Sequence, residues 1–290
     1  MTAAELLKAS DPVAALKALT DEVRAKPADS RHRVFLAQLL CVLGQWERAL
    51  NQLTVAAELD ALAVPMKQVY GDAIRCEGLR AEVFAGRRTP MVFGQPDEWL
   101  ALLIESLLQQ GRGDSAAAES LRERAFDAAP ARSGTIDGAP FAWLADADMR
   151  LGPVLEAYVN GKYYWVPYAR LAHIKIDPPE DLRDCVWLPA HLQFANGGVT
   201  LALIPTRYPG SEQSDDGGVQ LARKTEWREL QPGVWAGLGQ RVFGSDAGEH
   251  ALMDVREILF DAAEEDASSD GSDGASAADD VTGDTAGSRG

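Results

Sequence analysis

The chain has few of the residues that covalent cross-links, metal centres and membrane spans require. Its 290 residues include three cysteines and no C-x-x-C motif, so neither a disulfide framework, a zinc knuckle nor a redox pair is indicated. Cys41, Cys76 and Cys185 are expected to be buried, inert thiols. No segment approaches the roughly 20 apolar residues of a membrane span, and the first residues lack the features of a signal peptide. We therefore expect a cytoplasmic protein.

Motifs of catalysis are equally scarce. The sequence has no G-x-S-x-G nucleophile elbow, no H-x-x-x-H pair and no complete phosphate-binding loop. His173 and His191 fall on predicted strands, where isolated histidines are more often packed or exposed than bound to metal. We expect no catalytic residue, no metal and no cofactor in this chain.

One polar cluster is an exception, and it allows two interpretations. Asp146, Asp148 and Arg150 lie close together, and Glu156 follows. Paired carboxylates can perform acid–base chemistry or hold a cation. The cluster also lies where predicted helices give way to the first predicted strand, so capping and an Asp–Arg pair explain it without catalysis. We favour the second interpretation because ion-pair networks are commoner than active sites.

Charge is unevenly distributed along the chain. The net charge of −16 argues against nucleic acid and against a membrane surface as partners. Residues 261–290 contain nine acidic residues and one arginine, a net charge of −8, so the first 260 residues also carry −8. This tail is made of Ala, Ser, Asp and Gly with almost no large apolar side chain, and we predict that it is disordered.

The first part of the chain shows a repeated helical pattern. The spacing of small and large apolar residues recurs after 34 residues, from Ala15, Leu16 and Leu19 to Ala49, Leu50 and Leu53. This period is typical of tetratricopeptide units, in which pairs of helices stack on their neighbours and leave a concave surface. Such a surface usually holds a peptide or helix of another protein, so the repeat indicates a binding module.

Apolar spacing extends the helical prediction to about residue 130. Helices are predicted at 4–8, 12–25, 30–43, 46–59, 65–85, 99–110 and 116–128, with a loop at 87–95. These elements define a tetratricopeptide-like helical domain at residues 1–132. A linker rich in Ser, Asp and Gly follows it.

The later part of the chain has the pattern of strands. Asn160-Gly161 separates strands at 154–159 and 162–167 and favours a tight hairpin, because both residues readily adopt positive φ angles. Other strands are predicted at 172–176, 185–188, 191–195, 199–205, 227–230 and 235–242, and a closing amphipathic helix at 249–260. We therefore predict an α+β protein with a mainly antiparallel β domain at 140–260 and the tail at 261–290.

Four segments of the predicted β domain carry a family resemblance. They are FAWLADADMRLGPVLEAYVNGKYYWVPYARL (141–171), DLRDCVWLPAHLQFANGG (181–198), LALIPTRYPGSE (201–212) and LARKTEWREL (221–230). They resemble the ImpE/TagJ family, also called SciE-type, of type VI secretion accessory proteins. The resemblance covers about residues 5–260, and the tail lies outside it.

The resemblance implies a cytoplasmic adaptor without enzymatic activity. Members of the family associate with the contractile sheath by binding the N-terminal helix of its small subunit, TssB. They are thereby linked to ClpV, the ATPase that disassembles contracted sheaths. A helix laid in a groove is a common mode of peptide recognition, which agrees with the repeat pattern. The resemblance itself assigns no residue to the contact.

Repeat geometry and residue type provide candidate contact residues. The first helix of the unit at 30–63 should face the concave surface. Its candidate positions are Arg31, Val34, Gln38 and Cys41. In the β domain, Arg150, Trp165 and Arg207 are residue types that are common in binding hot spots. Burial in the core is the alternative interpretation for both sets.

Two other functions remain open at this level. The first is an enzyme built on the β domain that uses Asp146, Asp148 and His191 in a reaction of unknown type. The second is a structural scaffold that only stabilises an assembly.

Overall fold

The computed structural model describes residues 1–262, so the predicted tail lies outside the described residues apart from its first two positions. The first part is helical: α1 Ala3–Lys8, α2 Pro12–Ala25, α3 Ser30–Val42, α4 Trp46–Leu59, α5 Val64–Phe84, α6 Glu98–Gly111 and α7 Ser115–Ala128. The prediction of seven helices here is confirmed. No helix in the described range is both long and apolar enough to cross a membrane.

Local sequence signals explain where these helices begin and end. The Asp11 carboxylate accepts a hydrogen bond of 2.9 Å from the backbone N–H of Ala14, and Pro12 is the first residue of α2. Gly44 lies between α3 and α4 with a φ of 64°, a left-handed conformation that glycine adopts without steric strain. The turn at Gly44 thus allows α3 and α4 to form a helical hairpin.

The β part contains one large sheet. Its strands are β1 Met91–Val92, β2 Gly134–Ile136, β3 Ala139–Phe141, β5 Val154–Val159, β6 Lys162–Pro167, β7 Leu171–Ile176, β8 Trp187–Phe194, β9 Val199–Pro205 and β14 Glu257–Phe260. Their spatial order is β1-β6-β5-β9-β8-β7-β14-β2-β3. All neighbours are antiparallel except β1 and β6, so the predicted α+β architecture with a mainly antiparallel sheet is confirmed.

Two smaller sheets complete the β part. Strand β4 (Leu144–Asp146) pairs with β12 (Val242–Ser245), which also pairs with β13 (Gly248–Ala251). Strands β10 (Thr225–Gln231) and β11 (Val234–Gly239) form a two-stranded ribbon, preceded by the one-turn helix α8 (Gly217–Gln220).

Two predictions about these elements are wrong. Residues 249–260 form no closing helix, because β13, a turn and β14 occupy this segment and β14 pairs with both β7 and β2. Leu252, Val255 and Ile258 are buried as predicted, but Leu259 is exposed because alternate side chains of a strand point to opposite faces. The predicted loop at 87–95 contains β1, which extends the sheet at its edge.

The helices pack on one face of the large sheet and share a core with it. Tyr163, Trp165 and Trp187 point from the sheet toward the helices, where Leu40 and Leu103 belong to the same buried cluster. Side chains on the other face of the large sheet form a second core with the three-stranded sheet. The members of this core include Leu155, Val166, Ile174, Phe243 and Ile258. The helical layer and the β part are therefore joined by a continuous interior.

Candidate functional site

An open groove lies between α3 and the connection from α4 to α5. One side is formed by Ser30, Arg31, Val34, Phe35 and Gln38, and the other by Asp60, Leu62, Ala63 and Met66. The groove encloses about 390 Å³. Three of the four positions predicted on α3 therefore share one accessible surface.

Two aspartates shape the groove through capping. Asp29 accepts hydrogen bonds from the backbone N–H groups of Arg31 and His32, which fixes the start of α3. Asp60 accepts a hydrogen bond of 2.9 Å from the N–H of Leu62 and begins a short 3-10 helix, Ala61–Ala63. This extra turn separates α4 from α5.

Large apolar side chains are exposed around that connection. The exposed fractions are 44% for Leu59, 87% for Leu62, 48% for Val64 and 47% for Val69. Four exposed apolar side chains within eleven residues are more than the isolated examples normal on a protein surface, and Leu62 among them lines the groove. The repeat pattern predicts only the α3 side of the groove. The apolar run Leu59, Leu62 and Val64 around Asp60 is the sequence signal for the other side, where Leu62 lies.

The β part closes the groove beyond Gln38. A 3-10 helix at Leu182–Cys185 packs against α3, and Asp181 at its start lies beside Gln38. Burial raises the pKa of Asp181, and hydrogen bonds from Arg183 and Gln38 act against that rise. The guanidinium of Arg183 lies 5.3 Å from the ring centre of Tyr70 on α5. The concave face of the helices is thus occupied by the chain's own β part at this end.

Cys41, the fourth position predicted on α3, lies under that contact. Cys41 is 3% exposed, and burial raises the pKa of its thiol to about 12. The Arg207 guanidinium donates hydrogen bonds to the backbone carbonyls of Val42 at 2.7 Å and Cys41 at 3.3 Å. Cys41 and Arg207 are therefore corrected from candidate partner contacts to interior residues that join α3 to the β part.

Arg150 and Trp165 are also interior residues. Arg150 forms a bidentate ion pair with Asp148, with its Nη2 2.6 Å from Oδ2 and its Nε 2.9 Å from Oδ1. Trp165 is fully buried, and its indole N–H donates a hydrogen bond of 2.6 Å to the Tyr163 hydroxyl. The prediction that Arg150 and Trp165 contact a partner is therefore corrected, because both side chains are buried and a partner cannot reach them in this structure.

Buried charges link α5 to the sheet. Arg80 on α5 donates two hydrogen bonds, of 2.8 and 2.9 Å, to the Glu156 carboxylate on β5. Arg241 pairs with both Glu156 and Asp146. Burial acts to raise the pKa of Glu156, but Arg80 and Arg241 lower it to about 2, whereas burial raises the pKa of Asp146 to about 6 against the effect of Arg241. Each carboxylate is neutralised by a guanidinium, as expected of a structural network.

In the described part of the chain, the histidine of the enzyme hypothesis forms no hydrogen bond with its two aspartates. Asp146 and Asp148 are buried in the ion pairs just described. His191 is exposed on β8, with its Nε2 3.9 Å from Asp177 Oδ1, and it borders a shallow pocket with His173. Within residues 1–262, no hydrogen bond joins His191 to either carboxylate, and no three His, Cys, Asp or Glu side chains are arranged to hold a metal.

The fold and the groove define a class of protein. In this class, pairs of helices pack on a β domain, and the β domain closes one end of the concave surface of the helices. Comparison with known proteins adds the family. The family model described as ImpE protein matches residues 138–259. The type VI secretion system accessory component TagJ of Pseudomonas aeruginosa is 56% identical over 261 residues, which cover 90% of this chain and 92% of that relative.

The chain therefore belongs to the ImpE/TagJ family. A crystal structure of protein VPA1032 from Vibrio parahaemolyticus has the same fold, with a TM-score of 0.81 and 22% identity, covering 89% of this chain and 97% of that one.

Proposed function

We propose that this protein is a cytoplasmic, non-enzymatic accessory component of a type VI secretion system, and that its groove binds the N-terminal helix of the small sheath subunit, TssB. The role in secretion is supported by the 56% identity to a protein named as such a component. The helix-binding role is supported by the groove between α3 and the α4–α5 connection, because Leu62 at its side is 87% exposed and Val34, Phe35 and Met66 are only half-buried.

The chemistry of the groove suits an amphipathic helix. Val34, Phe35 and Met66 offer apolar surface along its length, while Arg31 and Asp60 provide polar groups beside it. A helix that presents apolar residues at positions i, i+3 or i+4 and i+7 can bury them on such a surface. Full burial of an exposed large apolar side chain contributes about 1.5–3 kcal/mol, and the half-buried Val34, Phe35 and Met66 each gain only part of that when a helix covers them.

The proposal is tested by measuring the affinity of the full chain for intact TssB and for TssB without its first helix. We expect the deletion to abolish binding. Val34→Asp should weaken binding of intact TssB by at least about tenfold, since it places a charge in an apolar contact. Val199→Asp, on the exposed surface of β9, is the matched control and should leave affinity unchanged. Equal binding of both TssB forms would overturn the groove mechanism.

We also propose that sheath binding links this protein to ClpV. In a reconstituted system, ClpV should be retained on sheaths carrying the wild-type protein more than on sheaths carrying the Val34→Asp variant. If the protein binds sheaths but leaves ClpV retention unchanged, the scaffold function is favoured over the adaptor function.

A further inference from the structure

Arg31 lies at the open end of the groove with its charge unneutralised by the fold. Its side chain is exposed, and the nearby carboxylates already serve as caps. Asp29 accepts from the N–H of Arg31 and lies 2.9 Å from His32 Nδ1, while Asp60 accepts from Leu62 N–H and from Ser30 Oγ at 3.4 Å. Within residues 1–262, the Arg31 guanidinium forms no ion pair, so a carboxylate from outside the chain has access to it.

The length of the groove is limited. It extends along α3 from Arg31 to Gln38, where the segment Asp181–Cys185 closes it. Seven residues of helix span about 10 Å at 1.5 Å per residue, or about two turns. A bound helix lying along α3 can therefore place about two turns in the groove before it meets the β part.

We propose that the groove accepts about two turns of a partner helix whose apolar stripe is flanked by a carboxylate that pairs with Arg31. This inference rests on the proposed function and adds the charge that the partner must carry. Pairing of opposite charges at the border of an apolar contact selects one register of the helix, because a shift along the groove separates the charges. The Asp181–Cys185 segment restricts the register from the other end.

The experiment uses the full chain and labelled peptides that span the N-terminal helix of TssB. Affinities are measured for wild-type protein, Arg31→Glu, Arg31→Ala and Val34→Asp. Arg124→Glu, on the exposed face of α7, is the control for an equal change in net charge. A second peptide series replaces each acidic residue by Lys, one at a time. Folding of every variant is verified by its unfolding midpoint.

We expect Arg31→Glu to weaken binding about fivefold and Arg31→Ala somewhat less, as is typical of an exposed ion pair. Arg124→Glu should have no effect. One Lys-substituted peptide should bind Arg31→Glu at least about threefold more tightly than it binds wild type. The wild-type affinity should fall with added salt, and the Arg31→Ala affinity should fall less.

The outcomes separate this inference from the function on which it rests. If Val34→Asp abolishes binding but Arg31→Glu does not change it, the groove binds a helix and the carboxylate pairing is wrong. If Arg31→Glu weakens binding but no Lys-substituted peptide restores it, the pairing is also wrong. If wild-type protein binds no TssB peptide, both the proposed function and this inference are overturned.

Discussion

The guanidinium of Arg207 donates a hydrogen bond of 2.7 Å to the carbonyl oxygen of Val42, the last residue of α3. Arg207 follows β9, so a residue of the β part caps the helix that forms one side of the groove. A cation at a helix C-terminus also interacts favourably with the helix dipole. The position of α3, and with it the shape of the groove, thus depends on the β part.

Replacing Arg207 by Met should destabilise the protein strongly. The change keeps a long side chain but leaves the carbonyls of Cys41, Val42 and Gln220 without this donor in a buried site. We expect the free energy of unfolding to fall by about 3 kcal/mol. Urea unfolding followed by tryptophan fluorescence measures it, with the exposed Arg112→Met as control, expected to change by less than about 0.5 kcal/mol. Equal stability of the two variants would contradict the capping role.

Glu156 should make stability depend on pH. Burial acts to raise the pKa of Glu156, but Arg80 and Arg241 lower it from 4.5 to about 2. Its contribution is therefore fully present above about pH 4.5 and is lost as the pH falls toward 2. Burial raises the pKa of Asp146 from 3.8 to about 6. Its contribution to stability is therefore fully present below about pH 3.8 and is lost as the pH rises through 6.

The Glu156→Gln variant tests this dependence. It removes the charge that both guanidiniums share, so we expect a loss of about 3–5 kcal/mol at pH 7. The difference in stability between wild type and variant should shrink as the pH falls from 4.5 to 2. Urea unfolding at intervals across this range measures that difference, and the exposed Glu123→Gln serves as the control. A difference that stays constant with pH would show that Glu156 is not held ionised by its partners.

Gly237 on β11 should tolerate no larger side chain. A Cβ atom at this position would lie 2.1 Å from Cδ2 of the buried Tyr208 ring. Gly237→Ala should therefore lower the free energy of unfolding by about 1–3 kcal/mol, because the ring or the strand has to move. Gly244→Ala on β12, where a Cβ meets no atom within 4 Å, is the matched control. Thermal unfolding measures the stability of both variants. Equal unfolding midpoints would contradict a close contact between Gly237 and the Tyr208 ring.

Leu62 should matter for binding and not for folding. Its side chain is 87% exposed at the groove, so little apolar burial is lost when it is replaced. Leu62→Ser should change the free energy of unfolding by less than about 0.5 kcal/mol, yet weaken TssB binding by about tenfold. Parallel measurement of the unfolding midpoint and the affinity tests this separation. A variant that binds normally would place the contact elsewhere on the surface.

Local signals made the helices and hairpins predictable. The Asn160-Gly161 turn gave the bounds of β5 and β6, because a tight turn depends on only a few adjacent residues. The prediction of a helix at 249–260 is wrong, although the spacing of Leu252, Val255 and Ile258 suits a helix. Pairing of β14 with β7 and β2, which are distant in sequence, determines its conformation instead.

The candidate site was predictable only in part, for a similar reason. Repeat geometry groups Arg31, Val34 and Gln38 on one face of α3, and all three line the groove. It could not show that Cys41, on the same face, is covered, because the covering residue Arg207 is 165 positions from Val42 along the chain. Which part of a concave surface stays open depends on such long-range packing, and no short pattern in the sequence records it.

The common interior of the helices and the sheet has a practical consequence for dissecting this protein. A fragment ending near residue 132 would expose to solvent the leucines that now face Trp165 and Trp187, and it would leave α3 without its Arg207 cap. We expect such a fragment to aggregate. Loss of TssB binding by the isolated helices would therefore report misfolding and not the location of the binding surface, so point variants of the full chain are the appropriate tools.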